Sequence, residues 1–448
     1  MKLKIALYAV VIALVLSMPS CVKSTVITTP TSQPPVADTP GVLVIASTNA
    51  FIDSTGTYHV VGQVDNNSST IVNSIQLAIE IKDITGNSLL KDDNGNSTPN
   101  AITYPMLYTL APGEASPFEY SYDTTNGTPD SFNVTISGQA TGEANRASLH
   151  WENVQIADDS SGRQYLTGKL VNTGSQWARI SGLAGAVLDD SNKVLSAAWT
   201  STYTTELAPA GDALGRDRTP FEINFPKPEG ATHWQIYWDA DGTDNVTDYP
   251  MEIKVSNTYF DQFGSARIVG WITNNFDQPL DSLVVAGLYA ADGTVLDSSY
   301  AFVPVPARPG EAAPFSISSF SRSNYTPDEA ALVTTSTTQF DTGFTFPSSY
   351  EAIDLSVNGE TVQKDGATWI FSGSVINTSD RSLGGATVVV MVMDSQNKLV
   401  AMEYTSIYPT GDAIAAGESN TYSVSIYLNP VADASSFTTT TMVIGIVK

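Results

Sequence analysis

The amino-acid sequence predicts an all-β protein: four tandem antiparallel β-sandwich domains behind an export signal and a disordered tether. Two observations predict the sandwiches and a third predicts export. Charged residues make up only 15% of the 448-residue chain, and Ser, Thr, Asn and Gly crowd between short apolar runs, the composition of β-rich proteins with many turns. One strand-like run, with a glycine and an asparagine at fixed places, occurs four times at intervals of about a hundred residues. The first twenty residues carry two lysines, an apolar stretch and then small residues.

Residues 1–20 read as a signal peptide, with Lys2 and Lys4 ahead of the apolar run Ile5 to Leu16. That run is too short and too close to the start for an ordinary spanning helix. Cys21 is the only cysteine, so no intrachain disulfide can form even in an oxidising destination. LSMPSC resembles the bacterial lipobox, with Ser20 as the small residue before the cysteine. The resemblance implies that Cys21 carries lipid and becomes the mature N-terminus, anchoring the protein at the cell envelope, outside the cytoplasm. A plain cleaved signal and an uncleaved anchor are the alternatives. The rest of residues 21–41, including KSTVITTPTSQPPVADTPG, is rich in Thr, Ser and Pro. It cannot bury enough apolar surface to fold, and its prolines keep it extended, as in a tether.

The repeat is clearest in VVGQVDN, LTGKLVN, IVGWITN and FSGSVIN. Gly62, Gly168, Gly270 and Gly373 are each followed four residues later by Asn66, Asn172, Asn274 and Asn377. Apolar residues stand two before and two after each glycine, which puts the glycine on the core face of a strand. A missing side chain there predicts a bulge or a close approach of facing backbone. The asparagine is expected to end the strand by bonding local backbone or by taking left-handed geometry. A second strand follows and runs into a turn, with Asp83, Asp189 and Asp394 three residues before Gly86, Asn192 and Asn397. The acid accepts backbone bonds, and Gly or Asn takes the positive φ. The third copy has Ala290 in place of the acid, which predicts a different turn type there.

A Gly-acid pair and another strand start follow in each copy, as in PGEASPF and PGEAAPF. Some seven short strands per copy predict sandwiches over 42–143, 144–248, 249–346 and 347–448. A single large barrel or propeller is the rival architecture. The glycine–asparagine strand followed by a hydrophobic-x-hydrophobic-x-Asp turn, with IEIKD, AVLDD, AGLYA and VMVMD at the motif position, resembles the FxLYD domain. That family is a small immunoglobulin-like β-sandwich module of exported bacterial and archaeal proteins. The resemblance implies fold and location and no common chemistry.

The formal charge of −25 argues against nucleic acid and anionic membrane surfaces as partners, because both need a basic footprint. His59, His150 and His233 are spread over two copies, a pattern that nominates no triad or zinc cluster. They read as surface or half-buried strand residues. WDADGTDNVTD offers Asp239, Asp241 and Asp244 as alternating oxygen ligands for calcium at the joint of the second and third copies. A solvated linker loop is the competing reading. Trp271 falls where the other copies have Gln63, Lys169 and Ser374, so it should point outward, either stacking on a ligand or packing on the neighbouring copy. No motif nominates catalytic residues. The expectation is a non-enzymatic, membrane-anchored surface lipoprotein acting as a spacer, adhesion or ligand-binding rod, whose partner is an unknown extracellular protein or glycan. A carbohydrate- or peptide-binding component of an envelope complex or transporter is the alternative.

Overall fold

The computed structural model describes residues 42–158, 163–226, 228–320, 322 and 325–448; the signal, Cys21 and the tether lie outside the described residues. Among the described residues no helix is long and apolar enough to cross a membrane.

The strands fall into four units. Unit 1 holds β1 (Leu43–Ile52), β2 (Thr57–Asn66), β3 (Ile71–Lys82), β4 (Ala101–Thr103), β5 (Thr109–Leu110), β6 (Ala115–Asp123) and β7 (Ser131–Gly142). Unit 2 holds β8 (Leu149–Asp158), β9 (Arg163–Asn172), β10 (Trp177–Leu188), β11 (Val194–Thr200), β12 (Glu206–Leu207), β13 (Arg218–Pro226) and β14 (His233–Thr243). Unit 3 holds β15 (Met251–Phe260), β16 (Ala266–Asn274), β17 (Leu280–Asp281), β18 (Leu283–Tyr289), β19 (Val295–Phe302), β20 (Ala312–Ile317), β21 (Thr335–Phe340) and β22 (Phe346–Pro347). Unit 4 holds β23 (Ala352–Asp354), β24 (Ser356–Asp365), β25 (Thr368–Ile376), β26 (Leu383–Met393), β27 (Leu399–Ile407), β28 (Ser419–Tyr427) and β29 (Thr438–Val447).

Every unit repeats one topology. A three-stranded sheet, such as β1-β2-β6 or β24-β25-β28, faces a second sheet centred on β3, β10, β18 or β26. In that second sheet the central strand pairs with an edge strand (β4, β11, β19, β27) and with the last long strand (β7, β14, β21, β29). All pairings are antiparallel.

The repeated glycine is explained by what lies against it. Gly62, Gly168, Gly270 and Gly373 stand directly opposite Phe118, Phe221, Phe315 and Tyr422 on the neighbouring strand. A Cβ on Gly62 would lie 2.5 Å from Phe118 Cζ, and one on Gly270 would lie 2.7 Å from Phe315 Cζ. On the other side the first strand of each unit bulges, between Ile45 and Ser47, Glu152 and Gln155, Val255 and Asn257, and Asn358 and Thr361. The Ser47 and Lys254 carbonyls press on their glycines as well. Ring and bulge fill the space a side chain would need, and the buried ring adds apolar area to the core.

The repeated asparagine is buried in all four units and makes one set of bonds. Asn66 Nδ2 donates to Thr70 O at 2.9 Å and Leu110 O at 2.8 Å, while its Oδ1 accepts from Ser68 N at 3.0 Å. Asn172, Asn274 and Asn377 reproduce this with Gln176 and Ala208, Gln278 and Ala307, and Arg381 and Ile414. The side chain therefore ties the loop after its own strand to a loop from elsewhere in the unit. No left-handed backbone is involved, since none of the four asparagines has positive φ.

The turn after the second motif holds as expected for Asp83, Asp189 and Asp394. Asp83 Oδ1 accepts from Thr85 N and Asn87 N at 2.9 Å each, and Gly86 has φ +84°. Unit 3 corrects the expectation of a different turn. Ala290 N donates to Thr294 O and Gly293 N to Ala290 O, the same backbone pattern, with Gly293 at φ +85°. The positive-φ glycine suffices to set the turn without the acid.

Candidate functional site

The units meet by one rule. The outer face of each three-stranded sheet receives the outer face of the next unit's second sheet, led by that unit's edge strand. At the first junction Ala184, Ala186, Leu188, Val194 and Tyr237 of unit 2 join the unit 1 core residues in one buried cluster. Tyr237 Oη donates to Gln63 Oε1 at 2.7 Å. At the second, Thr167 Oγ1 and Gln155 Nε2 donate to Val295 O at 2.8 and 3.0 Å, and Lys169 Nζ lies 4.2 Å above the Tyr289 ring. At the third, Asn257 Nδ2 donates to Val400 O at 2.8 Å, and units 3 and 4 share one continuous apolar cluster. Gln155 and Asn257 flank the bulges, so the irregularity facing each glycine also presents the polar hook for the next unit.

Trp271 takes its place in this scheme. Gln63, Lys169 and Trp271 are equivalent residues, and Trp271 is half-buried and packed against the cluster common to units 3 and 4. Of its two expected roles, packing is the one the geometry serves.

The calcium expectation is corrected. The Arg146 guanidinium stands among the carboxylates, 2.5 Å from Asp239 Oδ1 and 3.0 Å from Glu114 Oε2. Asp239 is buried, and its Oδ2 accepts from Tyr108 N and Thr109 N of unit 1 at 3.1 and 2.9 Å. Asp241 is exposed and 3.7 Å from Arg146, and Asp244 accepts from Gln176 Nε2. No group of three metal-ligating side chains converges among the described residues. The cluster fastens unit 1 to unit 2 through an arginine, and it does not lie between units 2 and 3.

His59 is buried rather than half-exposed, stacked on Phe51 with centroids 4.8 Å apart. Ser121 Oγ lies 3.4 Å from its Nδ1 and Asp53 3.3 Å from its Nε2, the outline of a serine–histidine–acid triad. Glu119, at 2.6 Å from the same Nδ1, defeats that reading. Burial opposes the charge on His59, but the hydrogen bonds and charges of Glu119 and Asp53 raise its pKa above the ordinary value. The nitrogen that faces Ser121 is already bonded to Glu119, so it offers no free lone pair to take a serine proton.

The signal that sequence reading missed is on the edge strands. Ile102, Trp199, Tyr300 and Tyr404 pair with Ala78, Ala184, Val285 and Val389, which makes them equivalent positions. They are 46%, 51%, 44% and 41% exposed. Tyr203 and Tyr300 rings lie 5.3 Å apart, and Phe302 sits 6.4 Å from Tyr300 and from Phe344. Counting five residues on from Val194, Val295 and Leu399 finds the three aromatics in the sequence, but nothing in the pattern says that face is left open.

No family model matches the chain, and no curated protein matches it. Among solved structures, a point mutant of Salmonella alpha-2-macroglobulin aligns over 90% of this chain and 29% of its own, with 9% identity and a TM-score of 0.12. Native E. coli alpha-2-macroglobulin aligns over 89% of this chain and 28% of its own, with 11% identity and a TM-score of 0.11. The chain spans less than a third of either protein, and similarity at this level carries no argument about fold or function.

Proposed function

We propose that the protein is a non-enzymatic, exported lipoprotein whose four immunoglobulin-like, FxLYD-like units form a spacer or adhesion rod at the cell envelope. The observation that supports this reading best is the single packing rule used at all three junctions. Units that interlock through buried side chains resist bending more than units on free linkers do. Residues 22–41 would let the first unit stand at most about 70 Å from a lipid on Cys21.

The deciding experiment is the intact mass of the mature N-terminal peptide from the membrane fraction, for wild type and Cys21→Ala. The reading requires a lipid adduct on Cys21, and loss of both adduct and membrane association in the variant. An unmodified N-terminus would defeat it. The exposed aromatic edge favours a second reading, a ligand-binding component of an envelope assembly.

A further inference from the structure

At the third junction the exposed edge residues of two units line one groove. Its volume is about 510 Å³, and Tyr300, Phe302, Ser316 and Ser318 of unit 3 face Glu403 and Tyr404 of unit 4 across it. That volume lies within the range of small-ligand sites, about 300–1,000 Å³. Exposed aromatic side chains gathered in one place mark binding surfaces more often than chance.

The polar groups narrow the ligand. Ser316 is 5% exposed, and its Oγ has no hydrogen-bond partner among the described residues. Arg267 holds the Glu403 carboxylate at 3.5 Å and is itself held by Asp261 at 3.0 Å. Glu403 therefore offers acceptor oxygens, while the adjacent cation is already engaged by two acids. The chain carries a charge of −25, which repels anionic polymers. Ring faces, hydroxyls and a carboxylate acceptor suit a ligand with apolar C–H faces and many hydroxyl groups and no charge.

We propose that this groove binds a neutral oligosaccharide, with sugar rings against Tyr300 and Tyr404 and sugar hydroxyls bonded to the Glu403 carboxylate. The site goes beyond the spacer reading and requires only the junction of units 3 and 4. Membrane fractionation reports on anchoring alone, so either idea can fail without the other.

The test is calorimetric titration of the full mature chain with cello-, manno-, xylo- and chito-hexaose. At least one should bind saturably. Tyr300→Ala and Tyr404→Ala should each weaken it about three- to tenfold, the worth of a single aromatic contact, and the double variant should weaken it further. Tyr404→Leu keeps apolar bulk without a ring face and should lose affinity while leaving the thermal midpoint unchanged. Failure of all four sugars to bind, binding unchanged in the double variant, or full affinity in Tyr404→Leu would overturn the proposal.

Discussion

Replacing Asn172 by alanine tests whether the repeated asparagine holds each unit together. Its amide donates to Gln176 O at 2.8 Å and Ala208 O at 2.9 Å, and its Oδ1 accepts from Gly174 N at 2.9 Å. The residue is fully buried, so alanine strands two carbonyls and one amide at the corner where two loops meet. At about 1 kcal/mol for each lost bond, and more where water cannot enter, the cost is about 3 kcal/mol. That is a large part of the 5–15 kcal/mol typical of a whole domain, and it should lower the unit's midpoint by about 10 °C or more. Trp151, Trp177, Trp199, Trp234 and Trp238, five of the chain's seven tryptophans, lie in unit 2. Tryptophan fluorescence during urea unfolding therefore reads this unit ahead of the others. Asn172→Asp should be at least as damaging at pH 7, because a carboxylate would face two carbonyl oxygens. A loss under about 0.5 kcal/mol for the alanine variant, within the noise of surface substitutions, or wild-type stability for the aspartate, would refute the reasoning.

Gly270→Ala pushes a methyl against the Phe315 ring and the Lys254 carbonyl and should cost about 1–3 kcal/mol. In a Phe315→Leu background the glycine substitution should cost less, as a double-mutant cycle will register. Asp341 is buried and accepts from Gly343 N at 3.0 Å and from Thr205 N of unit 2 at 3.3 Å. Burial, aided by the charge of Glu206, raises its pKa to about 6 against backbone bonds that lower it. A carboxyl raised on folding favours the native state below its ordinary value of 3.8, and that advantage is lost as pH rises through about 6. The change amounts to at most about 3 kcal/mol. Urea unfolding at pH 4 and pH 7 should show the larger difference for wild type and a smaller one for Asp341→Asn; equal differences would count against it. Ala290→Asp should restore the acid acceptor of the other units' turns and raise the unfolding midpoint, by about 0.5–1.5 kcal/mol of stability.

Several features are legible in the sequence because they are local. Period two puts the glycine on the core face, and a glycine among apolar residues announces a close approach, which Phe118 and the Ser47 carbonyl supply in unit 1. Asp83 and Gly86 spell out their turn. At Ala290 the acid is absent while Gly293 still supplies the positive φ, which is the scarcer requirement of the turn. The asparagine was recognised as a strand terminator, but its second partner lies 33 to 44 residues away, which no local pattern contains.

The candidate sites were less legible because their chemistry depends on which residues are brought in from other units. Asp239, Asp241 and Asp244 spell an oxygen-ligand run, yet Arg146 stands beside Asp239 and unit 1 amides occupy its second oxygen. Trp271 was recognised as outward-facing, but the identity of the surface beyond it belongs to the next unit. The sequence by itself determined the strands, the turns and the four-fold repetition, since each rests on the preferences of neighbouring residues. Only tertiary structure decided which outward faces were covered and which were left open. A strand's pattern says which face turns away from its own core, and the surface it meets there comes from another hundred residues of chain.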